Sequence, residues 1–144
     1  MLYTVGYQRL PIKRLDDLVE CLEIALLSDV RKRPFSHIPG YSSGALVARY
    51  GDKYTMKGKV LGGGGNVTDE GIEWLEQASK GKNVMIMCME DFPIDCHRHT
   101  AICAPHFPEA VHYYDGQLFE AGAMEKAMLE ELDDVPTVGT IEFD

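Results

Sequence analysis

Twelve consecutive residues, "CMEDFPIDCHRH" from Cys88 to His99, hold two cysteines, three acids, two histidines and an arginine, directly after the apolar run "NVMIM". Residues of these types serve metal ligation, thiol catalysis, or acid–base work by a carboxylate beside an anion-binding arginine. Structural zinc sites pair ligands roughly two to five residues apart and repeat the pair, whereas seven residues separate Cys88 from Cys96. Cys96, His99 and His106 can share one helical region with Cys103 as a fourth donor, but Cys103 lies in the apolar pattern "TAICA". No metal set and no cofactor is assigned on this spacing.

A covalent role for Cys88 has a different basis. Strand, cysteine, loop, arginine and helix follow in the order of phosphatase and rhodanese-like sites, where backbone amides at a helix start lower a thiol pKa. Nine residues separate Cys88 from Arg98, too many for the compact phosphatase loop. Glu90 and Asp91 would also raise a neighbouring thiol's pKa by repulsion. Glu90 is therefore the preferred acid–base group, just past a strand end, with His97 and Arg98 in the first turn after a cap at Asp95. The plainer alternative is that Arg98 pairs with Glu90 or Asp29 and only locks the loops. In "LLSDVRKRPFSHIPG", Asp29 and Arg31 emerge from another strand and can pair, fixing a guanidinium whose fork suits phosphate or carboxylate. Ser36 and His37 follow Pro34 and can line the same cleft.

The elements that must position these groups alternate along the chain. "LYTVGY" reads as a strand ending at Gly6, "PIKRLDDLVECLEIA" as a helix, and "IALLSDV" as a strand buried on both faces. "SSGALVARYG" is a short helix capped by Ser42 or Ser43 and stopped by Gly51. A short strand enters "LGGGGNV", which lacks any phosphate-loop fingerprint and suits a flexible loop or lid as well as close backbone approach. Thr68 caps "DEGIEWLEQASKG", "NVMIMC" is the next buried strand, and "DCHRHTAICA" starts another helix. "AVHYYDGQLFEA" carries a hairpin signal at Asp115-Gly116. "AGAMEKAMLEEL" is a final helix and "DDVPTVGTIEFD" a tail. This order predicts an α/β fold, a three-layer sandwich with a mostly parallel central sheet of Rossmann or flavodoxin-like type. Ligands of such sheets bind at the carboxyl ends of strands, which brings Gly6 and Tyr7, Asp29 to Arg31, and Cys88 to Glu90 to one edge.

At 144 residues the chain is expected to be one domain, with a core large enough to need no staples. No apolar run reaches the roughly 20 residues of a membrane span, and "MLYTVGYQRL" lacks an export signal. A cytoplasmic home and reduced thiols at Cys21, Cys88, Cys96 and Cys103 are therefore expected, with Cys21 buried in a helical pattern. The net charge of −9 argues against broad nucleic-acid coating, but it is unevenly spread. Residues 31–59 carry seven basic side chains and one acid, and residues 115–144 carry nine acids and one lysine. A local basic patch can attract a phosphate in an acidic protein.

With these pieces assembled, the chain resembles the domain-of-unknown-function family 488. The resemblance rests on "YTVGY", "DVRKRPFS", "VLGG" and "CMEDFPIDCHR", in that order over residues 2–114. The segment between Gly40 and Gly65 is short beside the family pattern, its four glycines are unusual, and the acidic extension from Ala121 has no counterpart. The resemblance implies an α/β fold and a shared polar site.

Together these features predict an enzyme acting on a phosphorylated substrate, a nucleotide or nucleic-acid component. Asp29, Glu90, Cys88, Cys96 and His97 are the catalytic candidates, and Tyr7, Arg31, Ser36 and Arg98 the substrate-binding ones. A non-catalytic nucleotide-sensing module, with a protein partner on the acidic C-terminal segment, and thiol or metal chemistry are the alternatives.

Overall fold

The computed structural model describes residues 1–143. The chain runs β1 (Leu2–Gly6), α1 (Ile12–Cys21), β2 (Leu26–Asp29), α2 (Ser43–Tyr50), a 3₁₀ turn, β3 (Tyr54–Met56), α3 (Gly58–Leu61) and β4 (Asn66–Val67). It continues with α4 (Asp69–Ala78), β5 (Val84–Cys88), a 3₁₀ turn at Pro93–Asp95 and a π-helical stretch, Arg98–Cys103, extended by α5 (Ala104–His106). It closes with β6 (Val111–Tyr114), β7 (Gln117–Glu120), α6 (Ala121–Leu129) and β8 (Gly139–Thr140). Seven strands form one mixed sheet in the order β3-β2-β5-β1-β6-β7-β8. It is parallel from β3 to β6 and antiparallel beyond. The fold is thus α/β, as the alternating elements predict, and no helix among the described residues is long and apolar enough to cross a membrane.

Alternation along β5 divides the core between the two faces. Met85 and Met87 pack with Leu15 and Leu18 of α1 and Leu46 of α2. Val84, Ile86 and Cys88 pack on the other side with Leu75 of α4 and with Ile102 and Cys103. All five β5 residues are buried, as expected of a central parallel strand covered on both faces. The chain leaves β1 and β2 for helices on the first face but leaves β5 for helices on the second. Neighbouring connections therefore diverge, and a crevice opens at the carboxyl ends of β2, β5 and β1.

Local signals hold where one side chain satisfies one backbone group. Ser42 Oγ accepts the Ala45 N–H at 3.2 Å, and Thr68 Oγ1 accepts that of Gly71 at 3.0 Å, the N-cap bonds expected of these residue types. Asp115 and Gly116 both take positive φ at the β6–β7 turn, as a two-residue hairpin requires. Three expectations fail. Asp95 is exposed and caps nothing; the chain turns at Pro93–Asp95 and enters a π-helical stretch after His97. Cys21 ends α1 on its exposed side. The tail returns to the sheet, with β8 paired to β7 and Ile141 buried. The glycine run, for which the sequence left a loop and a close backbone approach open, forms a tight turn, with Gly64 and Gly65 at positive φ between the bridged residues Gly62 and Asn66.

Gly6 fixes how closely the loop after β5 lies on β1. A Cβ there would sit 1.8 Å from the Glu90 carbonyl oxygen, whereas one at Gly44 in α2 would meet nothing within 4 Å. Gly6→Ala should lower the urea midpoint by the equivalent of at least the about 1–3 kcal/mol typical of overpacking. Gly44→Ala should be neutral or stabilising by up to about 1 kcal/mol. Equal midpoints for the two variants would contradict this packing.

Candidate active site

A cleft of about 360 Å³ opens at the carboxyl edge of the sheet. Tyr7 follows β1, Arg31 to Arg33 and Phe35 follow β2, and Cys88 to Glu90 end β5 and begin its loop; all line this cleft. Asp95, Cys96 and His97 arrive from the far end of that loop, and Gly63 from the glycine turn. Of the sequence-derived candidates, Tyr7, Arg31, Glu90, Cys88, Cys96 and His97 meet here, and Asp29, Ser36 and Arg98 stand behind or outside.

Asp29 and Arg31 pair as anticipated, inside a closed arrangement. Arg31 donates from its backbone N–H (3.0 Å), Nε (2.8 Å to Oδ1) and Nη2 to the Asp29 carboxylate, which also accepts from the Tyr54 hydroxyl. The other arm of the guanidinium donates to Tyr7 Oη at 3.2 Å and to the Tyr41 carbonyl at 2.6 Å. The Tyr7 and Tyr41 rings stack at 4.4 Å. Asp29 is 1% and Arg31 5% exposed, so this pair braces the β2 loop and spends most of its donors internally. Ser36 is also spent locally, accepting the Ile38 N–H at 3.1 Å.

Arg98 has no exposed surface at all. It donates to the carbonyls of Glu90 (2.6 Å) and Asp91 (3.2 Å) and, through Nε, to Thr4 Oγ1 (3.1 Å). It locks the loop, but through backbone carbonyls rather than a carboxylate. From Thr4 a buried chain runs on. Thr4 Oγ1 meets His112 Nδ1 at 2.5 Å, His112 Nε2 meets His99 Nδ1 at 2.9 Å, and His99 Nε2 meets Glu125 Oε2 at 2.6 Å. Arginine can only donate and an ionised carboxylate can only accept. With one proton per link, Thr4 donates to His112, His112 to His99, and His99 to Glu125. Sequence reasoning missed Thr4, His112 and Glu125, since each falls within an ordinary strand or helix pattern.

At the cleft floor, His97 Nδ1 lies 3.7 Å from Cys88 Sγ and 3.9 Å from Cys96 Sγ. Its Nε2 is 2.9 Å from the Leu61 carbonyl, which can only accept, so Nε2 carries a proton and Nδ1 faces the sulfurs. The two thiols are not equivalent. Neighbouring Cys88, with His97 and the Arg98 charge, holds the Cys96 thiol well below its ordinary range despite burial. Cys88, beside that thiolate and buried, is pushed up. Burial alone would lower His97, but the Cys96 thiolate outweighs it and raises the imidazole. Cys96 is thus the ionising thiol. His99, His106 and Cys103, entertained above as its metal-binding companions, do not join it; Cys88 and His97 do.

Three further cleft residues were not singled out. Lys32 and Arg33 are exposed basic residues at the rim, and Phe35 is 66% exposed beside them. The basic run from Arg31 signals the first two. A phenylalanine in an otherwise polar, proline-bearing loop is the signal for the third. Glu90 lines the cleft with no hydrogen-bond or ion-pair partner for its carboxylate among the described residues.

His112 is pushed down to about 2 by burial, then by the Arg98 charge and by His99. Its unfolded-state pKa is near 6.5, so between these values the unfolded chain binds a proton that the folded one refuses. Stability is retained above about pH 6.5 and lost as pH falls, by up to about 1.4 kcal/mol per pH unit for one such group. His112→Gln should make the acid limb of a denaturation-versus-pH curve shallower by that amount; an unchanged slope would show that His112 is not held neutral.

Searched against family models, curated proteins and solved structures, the chain matches none.

Proposed function

We propose that this protein is an enzyme acting on a phosphorylated substrate, a nucleotide or nucleic-acid component, bound in the cleft at the carboxyl edge of its sheet. One observation carries this reading: an exposed aromatic ring and two exposed cations share a cleft with a thiol–imidazole cluster. A base stacks on an aromatic face without regard to its identity, and Phe35 is the ring available. Lys32 and Arg33 meet the phosphate, and Lys57 and Lys59 line an adjoining groove that shares Arg31 and Lys32. The basic surface therefore runs on past a single phosphate, which suits a diphosphate or a short strand.

The chemistry belongs to the floor. Cys88, Cys96 and His97 gather there as one thiol–imidazole cluster, and Glu90, on the same cleft, is the acid–base group for a leaving oxygen. Tyr7, Arg31, Asp29 and Arg98 act as positioning residues that hold the β1, β2 and β5 loops against one another. A Rossmann or flavodoxin-like sheet, membership of domain-of-unknown-function family 488 and a cytoplasmic location belong to the same proposal. The diverging connections around β5 favour the first, since such sheets bind ligands where their connections reverse.

The test is a titration of nucleoside mono- and diphosphates against wild-type protein, Phe35→Ala and Lys32→Ala/Arg33→Ala, followed by product analysis. Phe35→Ala should weaken binding by about 5- to 150-fold, the equivalent of about 1–3 kcal/mol for a base stack. The double variant should weaken binding and flatten its dependence on salt. No binding by wild type would overturn the proposal, and binding without turnover would reduce it to a nucleotide-sensing module.

A further inference from the structure

We propose that Cys88, Cys96 and His97 are the ligands of a zinc-class divalent cation whose fourth coordination position opens into the cleft. Their donor atoms all lie within 4.8 Å of one another. In a tetrahedral site with Zn–S near 2.3 Å and Zn–N near 2.0–2.1 Å, neighbouring sulfur and nitrogen ligands stand about 3.6 Å apart. The imidazole here stands 3.7 and 3.9 Å from the two sulfurs, so the trio is spaced to ligate with little movement.

The surroundings fit ligation as well. A metal-bound histidine usually donates its other N–H to a carbonyl or carboxylate, which fixes the tautomer and aims the free lone pair; Leu61 O plays that part for His97. Gly63 leaves room beside the ligand: a Cβ there would lie 3.4 Å from His97 Nδ1. Two thiolates and an imidazole are a soft, nitrogen-containing set that suits zinc over magnesium or calcium. All three residues line the cleft, so the remaining position faces the space a substrate would enter, the open arrangement of catalytic rather than structural zinc.

Charge then selects the fourth ligand. Two thiolates neutralise a divalent ion, and the cations Arg98, Lys32 and Arg33 outnumber the Glu90 and Asp95 carboxylates around it, which leaves the surroundings positive. An anionic oxygen is the ligand that balances it. Ion capture does not depend on the nucleotide reading; only the identification of that oxygen as a phosphate's rests on it.

The experiment uses the full chain, reduced, chelated and titrated with Co²⁺ and then Zn²⁺. Co²⁺ should bind stoichiometrically with sulfur-to-metal charge-transfer absorption and intense tetrahedral bands, and Zn²⁺ should displace it. On the wild-type protein, Zn²⁺ should shield two of the four thiols from a thiol reagent until chelator is added. Cys88→Ser, Cys96→Ser and His97→Gln should each lose more than about 100-fold in affinity, beyond the about 10- to 100-fold typical of losing an outer partner. Cys21→Ser and Cys103→Ser should bind as wild type. Weak octahedral bands, unprotected thiols, or a Cys88–Cys96 disulfide forming in place of metal binding would overturn the proposal, and the wild-type thiol assay decides even if a variant fails to fold. Nucleotide titration of the chelated and Zn²⁺-loaded protein runs in parallel. Nucleotide binding without Zn²⁺ capture sinks the metal site alone, and Zn²⁺ capture without nucleotide binding sinks the nucleotide reading alone.

Discussion

A fully buried guanidinium is among the least comfortable groups a small domain can contain, since an unpaired ion inside a protein costs about several kcal/mol. Arg98 is tolerated because its donors meet fixed acceptors: the carbonyls of Glu90 and Asp91 on one side and the Thr4 hydroxyl on the other. Those acceptors belong to the loop after β5 and to β1, so the cation joins the two pieces of chain that form the cleft floor. Gly6 completes the joint by letting the Glu90 carbonyl approach the strand. Without Arg98, two half-buried carbonyls would lose their donors, and the loop carrying Cys96 and His97 would lose its anchor.

Arg31 repeats this arrangement on the other wall. Its planar fork binds Asp29 along one edge and two tyrosine oxygens along the other, a job that lysine's single ammonium would not do. The two most prominent arginines of the sequence motifs are therefore architectural. The cations left to a ligand are the less conspicuous Lys32 and Arg33 beside them. A site of this kind separates rigidity from contact: buried charges set the loops, and exposed ones stay open to a ligand.

Much of the scaffold was legible in the sequence because it rests on short-range rules. The buried run "VMIMC", the caps at Ser42 and Thr68 and the Asp115-Gly116 turn each depend on residues close in the chain. Convergence of Tyr7, Arg31 and Cys88 followed from topology alone. The errors lie where distant partners decide. Asp95 has the type of a cap, but a buried Arg98 and His99 demand a π-helical path that leaves Asp95 outside. Cys88 and Cys96 are too far apart in sequence for a ligand pair, yet the loop folds back on the strand and brings both to His97. Ser36 and Phe35 are neighbours with opposite fates, and no local pattern separates a serine that bonds its own turn from a ring turned to the cleft. The C-terminal residues read as a tail because β8 is only two residues long and pairs with a strand more than twenty positions earlier.

The buried chain from Arg98 to Glu125 has polarity. One end can only give protons and the other can only take them, so each imidazole between is held in a single tautomer with its N–H aimed along the line. Among its protons, those of the Thr4–His112 and His112–His99 bonds lie wholly between buried side chains. They would stand apart in a proton spectrum, far downfield and slow to exchange, a resident signal of whether the floor of the cleft is assembled.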